Sequence, residues 1–239
     1  MPVYQLLPEV SLFPPAEEAE DDGLLAVGGD LTKERLLAAY SRGIFPWYEV
    51  GQPILWWSPD PRLVLNPKEL RISRSLRKVI RKKQFEVRFD TAFQQVIKAC
   101  ADVRTEQGEG TWIIPEMQQA YTELYREGFA HSVESWENGK LAGGLYGISL
   151  GRFFFGESMF STSNDSSKVA LVALAELARN VGIQMIDCQM TTPHLLSLGA
   201  KEIRREVFLK KLKIHLEQPT LKGSWNSGPA SVNSNIFQN

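Results

Sequence analysis

Two apolar stretches of this chain end in polar groups, and those groups are the residues best suited to chemistry. In Phe153–Ser161 (FFFGESMFS) three aromatics run into Gly156 and Glu157. A carboxylate among apolar neighbours is costly unless something satisfies it, and a glycine beside it lets a backbone or ligand come close. Taken alone, such a glutamate reads as a core acid met by an arginine or by backbone N–H groups. The second stretch, IQMIDCQ (residues 183–189), ends in Asp187 and Gln189. Two strands that both end in polar groups point to a site. Side chains alternate faces along a strand, so Asp187 and Gln189 are expected on one face, the carboxylate orienting the amide, with Cys188 on the other. None of the histidines (His131, His194, His215) has an obvious nucleophile to serve, so no Ser–His–Asp or Cys–His arrangement is credible. The chemistry expected is positioning and polarisation, with Gln189 as a hydrogen-bond partner, because an amide oxygen is too weakly basic to hold a proton.

Several classes are excluded by composition. The 239 residues, 43% hydrophobic and 23% charged, fit an ordinary globular chain of one large or two unequal domains. Two cysteines, Cys100 and Cys188, cannot make a disulfide framework, and no apolar run reaches membrane-spanning length. The opening MPVYQLLPEV lacks the basic start and apolar core of a secretion signal, so a cytoplasmic protein with no membrane association is expected. Dispersed histidines without CxxC or HxxxH predict no metal. The net charge of −1 hides a sharp asymmetry. Seven acids and no cation fall in residues 1–31, whereas residues 71–83 (RISRSLRKVIRKK) hold seven cations and no acid. A charge run is usually a solvated helix face, but one with no interleaved glutamate lacks i,i+4 partners and leaves its cations free for a polyanion.

The elements that must position these groups follow from spacing. Prolines keep the start irregular, then Asp30 or Thr32 caps a helix to about Ser41, with Leu36, Leu37 and Tyr40 inward and Gly43 ending it. Trp47 leaves on a proline-stiffened loop, and PILWWSPDPR reads as a short strand closed by prolines, placing a domain boundary near residues 59–67. Strand 85–89, helix 91–103, a polar loop TEQGEGT, and a helix from Pro115 to about Glu127 follow. Glu137-Asn138-Gly139 between two alternating runs predicts a hairpin. A helix from Asp165 or Ser166 to Gly182 precedes the apolar strand, and HLLSLGA and VFLKKLKIHL read as helical. From residue 223 onward the chain has too little apolar content to pack and is expected to be disordered. The order strand, two helices, three antiparallel strands, helix, strand, helix gives a mixed α/β (α+β) domain that resembles the GNAT-type acetyltransferase fold. The expected division is a small N-terminal domain (1–62), a GNAT-like domain (63–222) and a tail (223–239).

Ten segments in register then carry a closer resemblance: DGLLAVGGDL, LLAAYSRGIFPWY, PILWWSPDPR, SRSLRK, GTWI, AYTELYREGFAHSVESW, GGLYG, GESMFS, IDCQ and HLLSLGA, spanning about residues 23–208. The chain resembles the leucyl/phenylalanyl-tRNA–protein transferases. That resemblance implies an enzyme that moves Leu or Phe, less readily Met, from an aminoacyl-tRNA to the α-amine of proteins beginning with Arg or Lys, marking them for N-end-rule degradation. It implies no metal or organic cofactor, and nothing in the sequence calls for an obligate dimer, so a monomer is expected. By matching motif, Tyr40, Trp47 and Trp112 correspond to aromatics around the aminoacyl-adenosine end. Leu145, Phe154, Met159 and Leu174 match the pocket for the Leu or Phe side chain. Glu157, Asp187 and Gln189 match the catalytic polar set, and Arg74, Arg77, Lys78, Arg81 and Lys82 match a grip on acceptor-stem phosphates. Arg71 stands where relatives commonly have histidine. Two alternatives share parts of this pattern. An acyl-CoA-dependent N-acetyltransferase would need a glycine-rich loop where this chain has MFSTSNDSSK. A non-catalytic RNA-binding module would leave the paired polar strand ends without a purpose.

Overall fold

The computed structural model describes residues 3–8, 10–106 and 110–226. Part of the polar loop (107–109) and most of the tail (227–239) lie outside the described residues. The small N-terminal domain contains β1 (Tyr4–Leu6), β2 (Leu24–Gly28), α1 (Lys33–Tyr40), β3 (Phe45–Pro46) and β4 (Leu55–Trp57), in the sheet order β1-β2-β4-β3. Helix α1 begins at Thr32, whose hydroxyl accepts the Arg35 backbone N–H. This satisfies one of the free donors of a helix start. Gly43 follows at φ 74. A Cβ there would stand 2.8 Å from Phe208, so only glycine allows this turn to lie against the C-terminal helix.

The larger domain runs β5 (Arg62–Leu65), α2 (Arg74–Arg81), β6 (Glu86–Phe89), α3 (Phe93–Glu106), α4 (Pro115–Arg126), β7 (Ala130–Glu137), β8 (Lys140–Leu150), β9 (Phe153–Ser161), α5 (Ser166–Val181), β10 (Met185–Gln189), α6 (Pro193–Ser197), β11 (Lys201–Ile203) and α7 (Arg205–Leu216). Its seven-stranded sheet has the order β11-β5-β10-β9-β8-β7-β6. Neighbours are antiparallel except β9 and β10, which run parallel. The β7–β8 turn has Asn138 and Gly139 both at positive φ (51 and 73), the conformation an Asn-Gly pair favours in a two-residue hairpin. Helix α5 covers one face of the sheet, and α3 and α4 cover the other. The two domains share a core. Leu36, Tyr40, Phe45 and Trp56 of the small domain belong to one apolar cluster with Met117, Tyr121 and Phe155 of the larger one. That shared cluster carries Tyr40 to the site described below.

Several segments depart from expectation, beginning with the start of the chain, expected to be irregular, which holds β1 and β2. The proline-rich stretch 59–67 contains β5, buried along its whole length between β10 and β11; four residues are too few to show a periodic signal. The basic run forms a helix, α2, despite lacking i,i+4 pairs. It is held by the Ser73 cap on Leu76 N–H and by burial of Leu76, while Arg71, Arg74, Arg77, Lys78, Arg81, Lys82 and Lys83 are exposed. HLLSLGA supplies only the short α6, because Gly199 at φ 99 ends it and β11 follows. Finally, within 223–226, where disorder is expected, one residue packs while Ser224 and Asn226 stay exposed. Trp225 is only 1% exposed, its indole stacked on His131, so one large aromatic suffices to seat a segment that is otherwise polar.

Candidate active site

The site forms where two parallel strands part. Pairing of β9 with β10 ends at Phe155 and Asp187, and the next residues on each strand, Gly156–Met159 and 188–190, line a cavity of about 470 Å³. Both strands are irregular there. On β9 the register against β8 jumps from Ser158–Tyr146 to Gly156–Gly147, which leaves Glu157 as the extra residue of a bulge. On β10 the register against β5 shifts between Asp187 and Gln189, with Gln189 at φ 59. Bulges re-aim side chains and interrupt alternation. The expected arrangement of Asp187 and Gln189 on one face, with Cys188 turned away, therefore fails. Cys188 and Gln189 both line the cavity, and Asp187 turns inward.

Glu157 is not paired with an arginine. Its Oε1 accepts from Tyr40 Oη at 2.8 Å and from the Gln189 amide N–H at 3.0 Å, and its Oε2 contacts Tyr121 Oη at 2.9 Å. The two phenol oxygens also hydrogen-bond to each other. The ring Oε1–Tyr40–Tyr121–Oε2 thus contains three O···O contacts but only two phenol protons. All three can be hydrogen bonds only when Glu157 carries the third proton. Burial acts in the same direction, pushing the Glu157 carboxyl up to about 7, with the Asp187 charge adding to it and the Tyr40, Tyr121 and Gln189 hydrogen bonds pulling the other way. Burial likewise lifts both phenols well above their ordinary range, so they stay protonated donors.

Asp187 is the carboxylate that an arginine satisfies. The Arg62 guanidinium meets it in a fork, Nε to Oδ1 at 2.9 Å and Nη2 to Oδ2 at 2.6 Å, with both side chains fully buried. The rings of Phe45 and Phe208 flank the guanidinium at 4.8 and 4.6 Å. Asp187 Oδ1 also accepts the Gln189 backbone N–H at 2.9 Å. The carboxylate therefore fixes the bulged backbone of Gln189, whereas the side-chain amide is oriented by Glu157.

The cavity gathers Trp47, Trp112, Leu145, Phe154, Glu157, Met159, Leu174 and Gln189 from both domains. Leu171 and Ile186 extend its apolar wall, and Met190, Thr192, His194 and Leu195 complete its rim. Trp47 is 41% exposed, its backbone oxygen held by Trp57 Nε1–H at 2.7 Å, and Trp112 is half-buried. Two residues expected at the site do not face the cavity. Tyr40 is fully buried behind Glu157, its ring edge-on to Phe155, and has no free face on which a base could stack. Asp187 is sealed against Arg62. The cations of α2 lie outside the cavity; the segment preceding α2 is joined to the end of α6, where Arg71 N–H donates to Leu198 O. Among the described residues, no three His, Cys, Asp or Glu side chains come together as a metal site. Burial pushes the Cys188 thiol far up, so no reactive thiolate forms there at neutral pH.

Sequence reading missed Arg62 and Tyr121. For Arg62 a signal existed, because a buried aspartate in IDCQ demands a cation and RLVL offers one inside an apolar quartet. For Tyr121 none did: its pairing with Glu157, 36 residues away, exists only once α4 packs on the sheet.

Comparison of the sequence with known proteins finds relatives over most of the chain. Residues 64–213 match the family model described as leucyl/phenylalanyl-tRNA protein transferase, and residues 29–60 match the model of that family's N-terminal domain. The chain belongs to this family. It is 58% identical over 226 residues to the leucyl/phenylalanyl-tRNA–protein transferase of Desulfatibacillum aliphaticivorans, covering 95% of this chain and 97% of that protein. It is 60% identical over 227 residues to the protein of the same name from Aromatoleum aromaticum, covering 94% and 95%. Membership makes the chain an aminoacyltransferase with a small N-terminal and a larger GNAT-like domain. Among solved structures, an aminoglycoside acetyltransferase from an uncultured soil metagenomic sample overlaps 48% of this chain and 85% of its own at 14% identity and a TM-score of 0.39. No helix among the described residues is long and apolar enough to cross a membrane.

Two measurements separate the roles of the polar groups. Because folding raises the Glu157 pKa above its unfolded value, the unfolded chain releases this proton first. Stability is therefore expected to fall by roughly 3 kcal/mol as pH rises from about 4.3 to about 7, then level off. In Glu157→Gln that component of the slope is absent, as urea unfolding of both proteins at pH 5 and pH 8 would reveal. Asp187→Ala strands a buried guanidinium and is expected to cost about 3–5 kcal/mol in the same assay, while Gln189→Ala loses one hydrogen bond, worth about 1 kcal/mol.

Proposed function

We propose that this enzyme transfers Leu or Phe, and less readily Met, from an aminoacyl-tRNA to the α-amine of proteins whose first residue is Arg or Lys, creating an N-end-rule degradation signal. It would act as a monomer in the cytoplasm, without metal or organic cofactor. The observation that carries this reading is the cavity itself, which combines an apolar wall, two accessible indoles and a carboxylate–amide pair at a single strand divergence. Leu145, Phe154, Met159 and Leu174 receive the amino-acid side chain. Trp47 and Trp112 offer faces for the terminal adenosine, a contact worth roughly 1–3 kcal/mol per stacked base.

The ester linking amino acid to ribose is already activated, so no nucleotide is consumed. The acceptor's α-amine, neutral in a useful fraction near its ordinary pKa of about 7.7–8.0, attacks the ester carbonyl. A C–N bond forms, the C–O bond to the ribose breaks, and the proton lost by the amine ends on the ribose oxygen. Because the Gln189 N–H is engaged by Glu157, its amide oxygen is left to accept a hydrogen bond from the attacking amine and fix its approach. Glu157, tied to two phenols, holds that amide in place. Arg62 and Asp187 act behind it as positioning residues. No acyl-enzyme is involved, in keeping with the suppressed ionisation of Cys188. Arg74, Arg77, Lys78, Arg81 and Lys82 supply an exposed basic face beside the rim for phosphates of the acceptor stem. An acyl-CoA reading fits less well, since the stretch leading into α5, MFSTSNDSSK, has no glycine to bring backbone N–H groups up to a pyrophosphate.

Labelled Leu-tRNA and Phe-tRNA should each donate their amino acid to a peptide beginning with Arg and not to one beginning with Ala; transfer from neither would end this reading. Replacing Arg77, Lys78 and Arg81 with Gln should reduce the slope of log binding constant against log salt by about 2 to 3, and an unaltered slope would place the phosphates on another face.

A further inference from the structure

The segment after α7 returns across the larger domain. Gly151 N–H donates to Thr220 Oγ1 at 2.9 Å, the Lys222 ammonium lies 4.6 Å from the Phe129 ring centre, and Gly223 N–H donates to Gly128 O at 3.0 Å. Gly128 and Gly223 approach so closely that a Cβ on Gly128 would stand 2.5 Å from Gly223 N. Two residues later Trp225 enters the core through a built seat. Its backbone N–H donates to Asp90 Oδ2 at 2.7 Å, and its indole stacks on His131 with ring centres 3.9 Å apart and planes 4° from parallel. Asp90 organises that seat, for its Oδ1 takes Ser132 N–H at 2.9 Å while its Oδ2 meets His131 Nδ1 at 2.9 Å.

The other ring beside Trp225 is that of Phe154, with centres 5.7 Å apart. Phe154 is the cavity-lining aromatic of β9, and its ring also lies over Gly147, where an added Cβ would come within 2.7 Å of it. Trp225 shares one apolar cluster with Phe154, Leu145 and Leu174, all of which line the cavity, yet is not itself among the lining residues. A bulky side chain backing a pocket wall limits how far that wall can retreat, because interiors are close-packed and a ring moves only where space exists.

We infer that Trp225 is a specificity-positioning residue: by backing Phe154 it sets how deep an amino-acid side chain can enter the apolar end of the cavity. This rests on the reading above, in which that wall receives the Leu or Phe side chain. With the indole removed, Phe154 has room to withdraw and the pocket lengthens, which favours the longer aromatic side chain over the branched aliphatic one.

The test measures kcat/KM for Phe-tRNA and for Leu-tRNA with the full chain and with Trp225→Ala, Trp225→Leu and Trp225→Phe. The expected result is a shift of the Phe/Leu ratio toward Phe by about tenfold in Trp225→Ala, the size that a methylene-scale change in an apolar pocket produces, with most of the shift reversed in Trp225→Phe. Should the alanine variant fail to fold, the same direction of change is read from Trp225→Leu. A parallel fall in both constants with the ratio unchanged would overturn the inference and leave Trp225 a stabilising residue alone. Absence of transfer from either tRNA by the unmodified chain would instead overturn the proposed function, and this inference with it.

Discussion

The buried pair of Arg62 and Asp187 is the constraint on which the rest of the site depends. A guanidinium and a carboxylate are both removed from water here, and such a pair persists only with good geometry and further partners. The fork contact, the flanking rings of Phe45 and Phe208, and the Gln189 backbone N–H supply them. The residues involved come from β5, β10, the small domain and α7. One interaction therefore joins the adjacent strands β5 and β10 of the large sheet to the small domain and the C-terminal helix, and fixes the point at which β10 leaves its neighbour.

From that point the chemistry follows by geometry. Where β9 and β10 stop pairing, backbone groups and side chains that would have closed the sheet instead face an opening. Each strand carries a bulge just past its last shared position, and there a polar side chain, Glu157 or Gln189, meets the other. Glu157 sits in a ring with Tyr40 and Tyr121 that is complete only in its protonated form. In that protonated form the acid removes the repulsion that a second charge beside Asp187 would bring, and holds the Gln189 amide without presenting a full negative charge to the cavity. The division of labour between the two acids thus reverses the plain reading of the sequence. The one near the tip of an aromatic run is met by phenols, and the one beside the amide is met by the arginine.

The family, the two-domain organisation and most elements were legible in the linear chain. Helical spacing marked α3 and α5, and Pro115 the start of α4; Asn138-Gly139 marked the hairpin; and ten motifs in register identified the relatives. What escaped were short pieces whose identity depends on neighbours. β5 and β11 are too brief to show a period, and α2 lacks the charge pairs that announce an exposed helix. The Trp225 seat lies in a segment whose average composition is polar, and an average cannot register one buried indole.

The residue types at the site, and the presence of an unpaired basic face, were determined by the sequence, because both are properties of composition and local spacing. Which polar group meets which was decided only by the tertiary structure. Strand alternation predicts faces for regular strands, and the two positions that matter are the two where the strands are irregular. Tyr40, Tyr121 and Arg62 reach their carboxylates across 117, 36 and 125 residues of chain. The Tyr40 contact arises from packing the two domains into one core and the other two from packing within the larger domain, conditions that no local pattern encodes.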